Sequence, residues 1–146
     1  MIKQFDLAIT DLERFACVKA VSKLRLRQSE IIHHTQTQNL TWDIIYIVGV
    51  GMFGERAVFA TDVCNAVKAS KSSTIKAINR LVKDKVIIQD RDNSDWRRKT
   101  ISFTKSFKEQ FTSLTDEFIR EAMIKAGDDF LKKDNDLKKD QILKGI

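Results

Sequence analysis

The stretch that decides the fold runs from residue 60 to residue 104: ATDVCNAVKASKSSTIKAINRLVKDKVIIQDRDNSDWRRKTISFT. Its first half predicts two short helices. Thr61 is placed to cap a helix over residues 61–67, and Ser70 is placed to cap a second helix over residues 71–83. Apolar residues of the second helix recur at three- and four-residue spacing, which predicts one buried stripe. The predicted stripe consists of Ile75, Ile78, Leu81 and Val82.

The second half of the stretch predicts a β-hairpin. β-Branched residues at positions 86–88 favour the start of a strand. The polar cluster at residues 92–95 is typical of a turn. Residues 100–104 alternate polar and apolar side chains, as a half-buried return strand does. Helix, turn, helix and hairpin, in this order, are the layout of a winged helix-turn-helix.

The positive charge of the chain is concentrated in the same segment. Residues 68–99 contain ten Lys or Arg residues and four Asp residues, an excess of six that equals the formal net charge of the whole chain, +6. A basic excess confined to a helix-turn-helix and its hairpin indicates a surface that binds a phosphate backbone. The alternative is that these side chains only solvate an exposed helix and loop, and the localisation of the charge disfavours it.

The hairpin also resembles a known family. Its sequence, Asp95-Trp96-Arg97-Arg98-Lys99-Thr100-Ile101-Ser102-Phe103-Thr104, is similar to the wing signature of the MarR transcription regulators, an Asp-x-Arg-x-Lys followed by alternating apolar residues and a closing Thr. Ser70-Lys71-Ser72-Ser73 resembles the start of that family's recognition helix, and Leu40-Thr41 resembles the start of its second helix. Lys85 stands where the family usually has Gly, which suggests another way of ending the recognition helix.

The predicted fold class is mainly α (α+β), with a two- or three-stranded wing. A single domain over residues 1–146 is expected, with the DNA-binding lobe in residues 40–104 and long dimerisation helices in residues 1–39 and 105–146. Periodicity predicts a first helix that ends near His33 and a second helix from Trp42 to about Phe53, capped by Thr41. A short strand is expected at residues 58–60, where the resembled fold pairs it with the wing.

A homodimer is expected because apolar-striped helices at both ends exceed what one small winged domain needs to cover. The alternative is that these helices fold back on their own domain. The predicted interface residues are Phe107, Phe111, Leu114, Phe118, Leu137 and Ile142. A two-fold dimer would place its recognition helices one DNA turn apart, roughly 34–36 Å, and so would require a pseudo-palindromic site in double-stranded DNA.

Roles at the DNA follow from side-chain chemistry and from the resemblance. The N-terminal part of the second helix is expected in the major groove, where Lys and Ser can bind base edges; these residues are Lys71, Ser72, Ser73 and Lys76. Ser70 is expected to cap the helix and to bind a DNA phosphate, and Arg80 is expected to contact the DNA backbone. The resemblance places Arg97 in the minor groove and implies that Asp95 stiffens the wing. Arg98 and Lys99 are predicted phosphate contacts.

Three other kinds of site are considered. Peroxide-sensing relatives of the MarR family carry a reactive cysteine near the position of Cys17, but a buried, inert thiol is the favoured interpretation here. His33 and His34 point about 100° apart on a helix, so no metal site is expected. The sequence contains no nucleophile elbow or phosphate-binding Gly loop, so neither an enzyme nor a cofactor is predicted.

The compartment and the function complete the predictions. Two cysteines, no signal peptide and no bilayer-length apolar run predict a cytoplasmic protein without a membrane partner. The predicted function is that of a sequence-specific DNA-binding transcriptional regulator, more specifically a dimeric repressor. The resemblance adds a small aromatic ligand as a candidate inducer. The alternatives are a winged-helix protein of replication or plasmid maintenance, and a winged helix used for protein contacts.

Overall fold

A computed structural model describes residues 8–31, 37–92, 94 and 98–122. The first four helices are α1 Asp11–Ile31, α2 Thr37–Phe53, α3 Ala60–Ala66 and α4 Lys71–Lys83. The strands are β1 Val58–Phe59, β2 Ile87–Arg91 and β3 Lys99–Phe103. Residues 105–122 form a further helix, α5. The mainly α fold with a helix-turn-helix and a small wing is therefore confirmed, and the boundaries of α4 are those predicted.

The wing is a three-stranded antiparallel sheet in the order β1-β3-β2. Val58 pairs with Ile101, and Ile87 pairs with Phe103. Ile101 and Phe103 are buried while Ser102 between them is exposed, which is the alternation expected of a half-buried strand. The strand predicted at residues 58–60 is present but ends at Phe59, because Ala60 already begins α3.

Helix α2 lies at the centre of the core. Ile44 and Val48 of α2 are buried together with Ile78 of α4 and with Phe111 of α5. The ring of Phe111 lies 5.0 Å from that of Phe103 and 5.7 Å from that of Tyr46, centroid to centroid. These contacts join α2, the wing and α5 around one aromatic cluster, so the wing is anchored in the core.

Two predicted helix starts are wrong. Helix α2 begins at Thr37, before the predicted cap Thr41. A polar segment can form its first turn because the first four amides of a helix need no acceptor within it, and Leu40 packs against the core from that turn. Helix α3 begins at Ala60 instead of after a Thr61 cap. The backbone N–H of Phe59 donates to the carboxylate of Asp62 at 3.0 Å, which closes the helix start directly after the strand.

The buried stripe of α4 differs from the predicted one. Ile78 and Leu81 are buried as expected, but Ile75 is 41% exposed and Val82 36% exposed. Thr74 and Ala77 take their places in the core. The observed stripe, at positions 74, 77, 78 and 81, spans roughly 100° of the helix surface. Thr74 fits there because its hydroxyl donates to the carbonyl of Ser70 at 2.9 Å.

Lys85 ends α4 in the way that glycine usually does, so the suggestion of a different ending is wrong. Its φ is 59°, in the left-handed region. The N–H of Lys85 donates to the carbonyl of Val82, and the N–H of Val86 donates to the carbonyl of Leu81, at 3.1 and 2.9 Å. This pair of hydrogen bonds is a Schellman motif. The connection between α4 and the wing therefore has the usual geometry of this motif. Lys85 is strained there, because a side chain with a Cβ disfavours a positive φ.

Lys85→Gly is expected to raise the free energy of unfolding by about 1 kcal/mol, because glycine adopts a positive φ without the Cβ clash. Lys85→Ala is the matched control, since it removes the same charge and keeps the Cβ. Urea unfolding of the three proteins would measure the difference. Equal stabilisation by Gly and Ala would show that the charge, not the backbone conformation, carries the cost.

The predicted dimer residues separate into three groups. Phe111 is 1% exposed, so the interface role predicted for it is wrong. Phe107 is partly buried and packs against the core of its own chain. Leu114 and Phe118 of α5 are exposed. The reason is the face of α5 on which they lie: the buried residues Phe111, Thr115 and Ile119 recur at four-residue spacing, and Leu114 and Phe118 lie to one side of that stripe. The predicted residues Leu137 and Ile142 lie outside the described residues.

The first and last described helices are joined by an ion pair. Arg14 of α1 donates from Nε and Nη2 to the two carboxylate oxygens of Asp116 in α5, at 2.7 and 2.9 Å. This hydrogen-bonded pair raises the pKa of Arg14, so the guanidinium stays charged. In the described part of the chain no helix has the length and apolar character needed to cross a membrane.

Candidate nucleic-acid interface

The N-terminus of α4 is organised by serine hydroxyls. Ser70 is the N-cap, and its Oγ accepts a hydrogen bond from the backbone N–H of Ser73 at 3.1 Å. The Ser70 hydroxyl donates to the Ser73 hydroxyl at 2.9 Å, and the Ser72 hydroxyl lies 3.4 Å from Ser70 Oγ. The capping role predicted for Ser70 is confirmed. Three hydroxyls thus gather at the positive end of a 13-residue helix.

The outer face of α4 is basic along its length. Ser73, Lys76, Arg80 and Lys83 are exposed, as predicted, and so are Lys71 and Ser72. The ion pair between Arg80 and Asp84 is weak, because Arg80 Nε and Asp84 Oδ2 are 4.0 Å apart and both side chains are largely exposed. A helix of this width fits a major groove roughly 12 Å wide. The face therefore presents charge and hydrogen-bond donors in a shape that suits duplex DNA.

Asp92 shapes the turn of the wing. Its two carboxylate oxygens accept hydrogen bonds from the N–H and the hydroxyl of Ser94, at 3.2 and 2.9 Å. These hydrogen bonds, first of all that from the Ser94 hydroxyl, lower the pKa of Asp92. Asp92 belongs to the turn predicted at residues 92–95, although the role of stiffening the wing was assigned to Asp95. Asp95, predicted to stiffen the wing, and Arg97 lie outside the described residues.

Arg98 is held at the end of the wing turn, directly before β3. Its guanidinium carbon lies 3.5 Å from the centroid of the Phe59 ring, a cation–π contact with the end of β1. Its carbonyl accepts from the N–H of Asp92 at 2.8 Å. Arg98 was predicted as a phosphate contact only, whereas the structure also gives it a part in fastening the hairpin to the sheet.

Two cations face one another across the hairpin. Arg91 of β2 and Lys99 of β3 are register partners, and both side chains are exposed. The register therefore brings two basic side chains together beside the turn of the wing. Lys99 was a predicted DNA contact, whereas Arg91 was missed. Its position opposite Lys99 depends on the strand register, which a single strand's sequence does not reveal.

The described residues do not form a reactive-cysteine site or a metal site. Cys17 is half-buried, and burial raises the pKa of its thiol, which lowers the fraction of reactive thiolate. This favours the interpretation of Cys17 as an inert thiol. The described residues include no group of three His, Cys, Asp or Glu side chains that could hold a metal ion. His33 and His34 lie outside the described residues.

The fold resembles that of other solved proteins. No protein-family model matches the chain, and no curated protein matches its sequence. S. aureus MepR bound to ethidium bromide has a similar structure, with a TM-score of 0.50, 21% sequence identity, and coverage of 88% of this chain and 93% of MepR. For the transcriptional regulator Tm0710 from Thermotoga maritima the TM-score is 0.48 and the identity 21%, with 88% of this chain and 84% of that chain covered.

The adhesin competence repressor AdcR from Streptococcus pyogenes matches with a TM-score of 0.46 and 20% identity, over 79% of this chain and 78% of AdcR. All three are MarR-type transcriptional regulators. At such low identity the likeness concerns the fold, and it agrees with the family resemblance of the wing and of the start of α4. The chain has the winged-helix fold of the MarR-type regulators.

Proposed function

We propose that the protein is a sequence-specific DNA-binding transcriptional regulator that acts as a homodimeric repressor. The observation that carries the proposal is the exposed basic face of α4, with three serine hydroxyls at its N-terminus. That face belongs to the segment, residues 68–99, whose basic excess equals the net charge of the chain. Most of the affinity of such proteins for DNA comes from neutralising phosphates with Lys and Arg.

In this proposal α4 lies in the major groove with its N-terminal half against the bases. Lys71, Ser72 and Lys76 are exposed there, and Ser73 is exposed beside them. Lysine donates to guanine O6 and N7, and a serine hydroxyl can pair with several base edges. The backbone N–H groups of the first turn, next to Ser70, bind a phosphate. Arg80, farther along the helix, binds the backbone.

The wing supplies the second set of contacts. Arg97 enters the minor groove, which attracts Arg where it narrows, and Asp95 stiffens the loop beside it. Lys99 and Arg91, which are exposed on neighbouring strands of the hairpin, bind phosphates of the DNA backbone. Arg98 binds a phosphate from its place over Phe59, so the same side chain both positions the wing and contacts DNA. These assignments account for every basic residue of β3 and the turn before it.

A dimer is supported by the exposed apolar side chains of the terminal helices. Leu12 and Leu24 of α1 and Leu114 and Phe118 of α5 are all more than two-fifths exposed. With Leu137 and Ile142 they form the proposed interface, which assigns residues 1–39 and 105–146 to dimerisation and residues 40–104 to DNA binding. Two-fold symmetry then requires half-sites roughly 34–36 Å apart. Ethidium in the MepR structure is an aromatic ligand, and we extend the proposal to a small aromatic inducer.

The test is a gel-shift competition with the DNA upstream of the protein's own gene. The wild type is expected to bind this DNA saturably in the presence of a large excess of unrelated duplex. Lys76→Ala and Arg97→Ala are each expected to weaken binding about tenfold, since a specific base contact contributes roughly 1–3 kcal/mol. Lys108→Ala, which removes an exposed lysine of α5, is the matched control and is expected to bind like the wild type.

Other outcomes identify the alternatives. Equal, weak binding to any duplex would indicate a nonspecific architectural role. No binding at moderate salt would indicate a winged helix used for protein contacts. Specific binding at a replication origin or a plasmid-maintenance locus, with none upstream of a gene, would replace promoter control by one of those roles.

A further inference from the structure

One apolar side chain is exposed among the polar residues at the start of α4. From residue 71 to residue 76, the exposed side chains are Lys71, Ser72, Ser73, Ile75 and Lys76. Ile75 is 41% exposed, although its spacing from Ile78 and Leu81 suggested a place in the core. In this turn of α4 the side chain buried in the core is that of Thr74 instead. An aliphatic group therefore remains on the surface that is proposed to face DNA.

The position of Ile75 follows from helix geometry. It lies one turn after Lys71 and directly before Lys76, so its side chain projects between two cations. Recognition helices of the helix-turn-helix class contact base edges with their N-terminal residues. If α4 enters the major groove as proposed above, Ile75 enters with it. The flanking Lys71 and Lys76 would hold that part of the helix against the DNA.

The chemistry of the groove restricts what Ile75 can recognise. An aliphatic side chain neither donates nor accepts a hydrogen bond, and the apolar feature of the bases in the major groove is the C5-methyl group of thymine. We propose that Ile75 packs against a thymine methyl and thereby makes one A·T pair in each half-site a specificity position. This assignment depends on the proposed function, since it requires that α4 bind DNA with sequence preference.

The test removes the methyl group and nothing else. A preferred duplex is first selected from random sequences with the full-length protein. Each thymine of one half-site is then replaced in turn by uracil, which pairs identically but lacks the methyl. At one of these thymines the wild type is expected to bind the uracil duplex about fourfold more weakly, the effect of leaving one methyl-sized group without apolar contact.

Two variants connect that loss to Ile75. Ile75→Ala is expected to bind the thymine and uracil duplexes equally, because the contact partner is gone. Val82→Ala is the matched control: Val82 lies seven residues later on the same flank of α4, is similarly exposed, and is too far along the helix to share the contact. It is expected to retain the fourfold discrimination. Thermal melts of both variants establish that each remains folded.

The outcomes separate this proposal from the function on which it depends. Specific binding of the selected duplex without a uracil effect, or with the effect intact in Ile75→Ala, would overturn the role of Ile75 and leave the regulator function standing. A selected half-site without thymine would do the same. If no sequence is enriched, the sequence-specific function fails, and the thymine contact fails with it.

Discussion

Phe111→Ala is expected to lower the free energy of unfolding by about 3–5 kcal/mol, the usual cost of truncating a fully buried Phe. Phe111 is 1% exposed and its ring meets those of Phe103, Tyr46 and Phe53. A Cβ atom added at Gly49 would lie 2.5 Å from the Phe111 ring, so α2 approaches this ring as closely as a glycine permits. Truncation would leave a cavity where α2, α5 and the wing meet.

Urea unfolding measures this loss, and Phe118→Ala provides the comparison on the same helix. Phe118 is 56% exposed, and its truncation is expected to weaken self-association, followed by analytical ultracentrifugation, while the helical content is retained. The two phenylalanines were both predicted at the dimer interface, but the structure buries Phe111 in the core of its own chain and leaves Phe118 exposed. Tolerance of Phe111→Ala, together with a loss of dimer, would return Phe111 to the interface.

Asp116→Asn is expected to destabilise the protein by about 2 kcal/mol, because a bidentate, charge-assisted pair would lose one charge and one acceptor. The side chains of Arg14 and Asp116 are 19% and 14% exposed, so solvent screens their attraction only partly. The substitution keeps the shape of Asp116. The decrease in the free energy of unfolding would therefore measure how much the charge of Asp116 contributes to the contact between α1 and α5.

The control for Asp116 is the other carboxylate of the same arginine. Asp11 lies 2.8 Å from Arg14 Nη1, but it is 75% exposed. Asp11→Asn is expected to change the stability by less than about 0.5 kcal/mol, as is usual for exposed ion pairs. Urea unfolding of both variants at one pH and one salt concentration makes the comparison. Equal losses would mean that burial does not decide the strength of this pair.

The parts of the fold that were predicted correctly are those specified by neighbouring residues. Ser70 caps α4 through contacts within four residues, and the alternation at residues 100–104 is visible in the strand itself. Ile75 and Phe111 were misplaced for a different reason. A periodic stripe shows which residues share a helix face, but only the packed neighbours determine which of them the core covers. Thr74 displaced Ile75 because a local hydrogen bond satisfied its hydroxyl.

In the candidate site, too, features set by residues near in sequence were predictable, and contacts between distant segments were not. The basic face of α4 was visible as charges at helical spacing, and the turn at Asp92 was visible as the polar cluster at residues 92–95. The contact between Arg98 and Phe59 was not predictable in this way, because it joins strands that are distant in sequence. The pairing of Arg91 with Lys99 likewise depends on the register of the hairpin.

The most direct measurement of the proposed DNA binding is the salt dependence of the affinity of the wild type for its selected duplex. A basic face that neutralises phosphates predicts a steep linear fall of log K with log salt, with a slope of about −0.9 per phosphate contact. Arg80→Ala, which removes a proposed phosphate contact, is expected to make the slope shallower by about 1, and Lys108→Ala is expected to leave it unchanged. Wild-type binding that is insensitive to salt, or a slope that Arg80→Ala does not alter, would contradict the assignment of the α4 face to the DNA backbone.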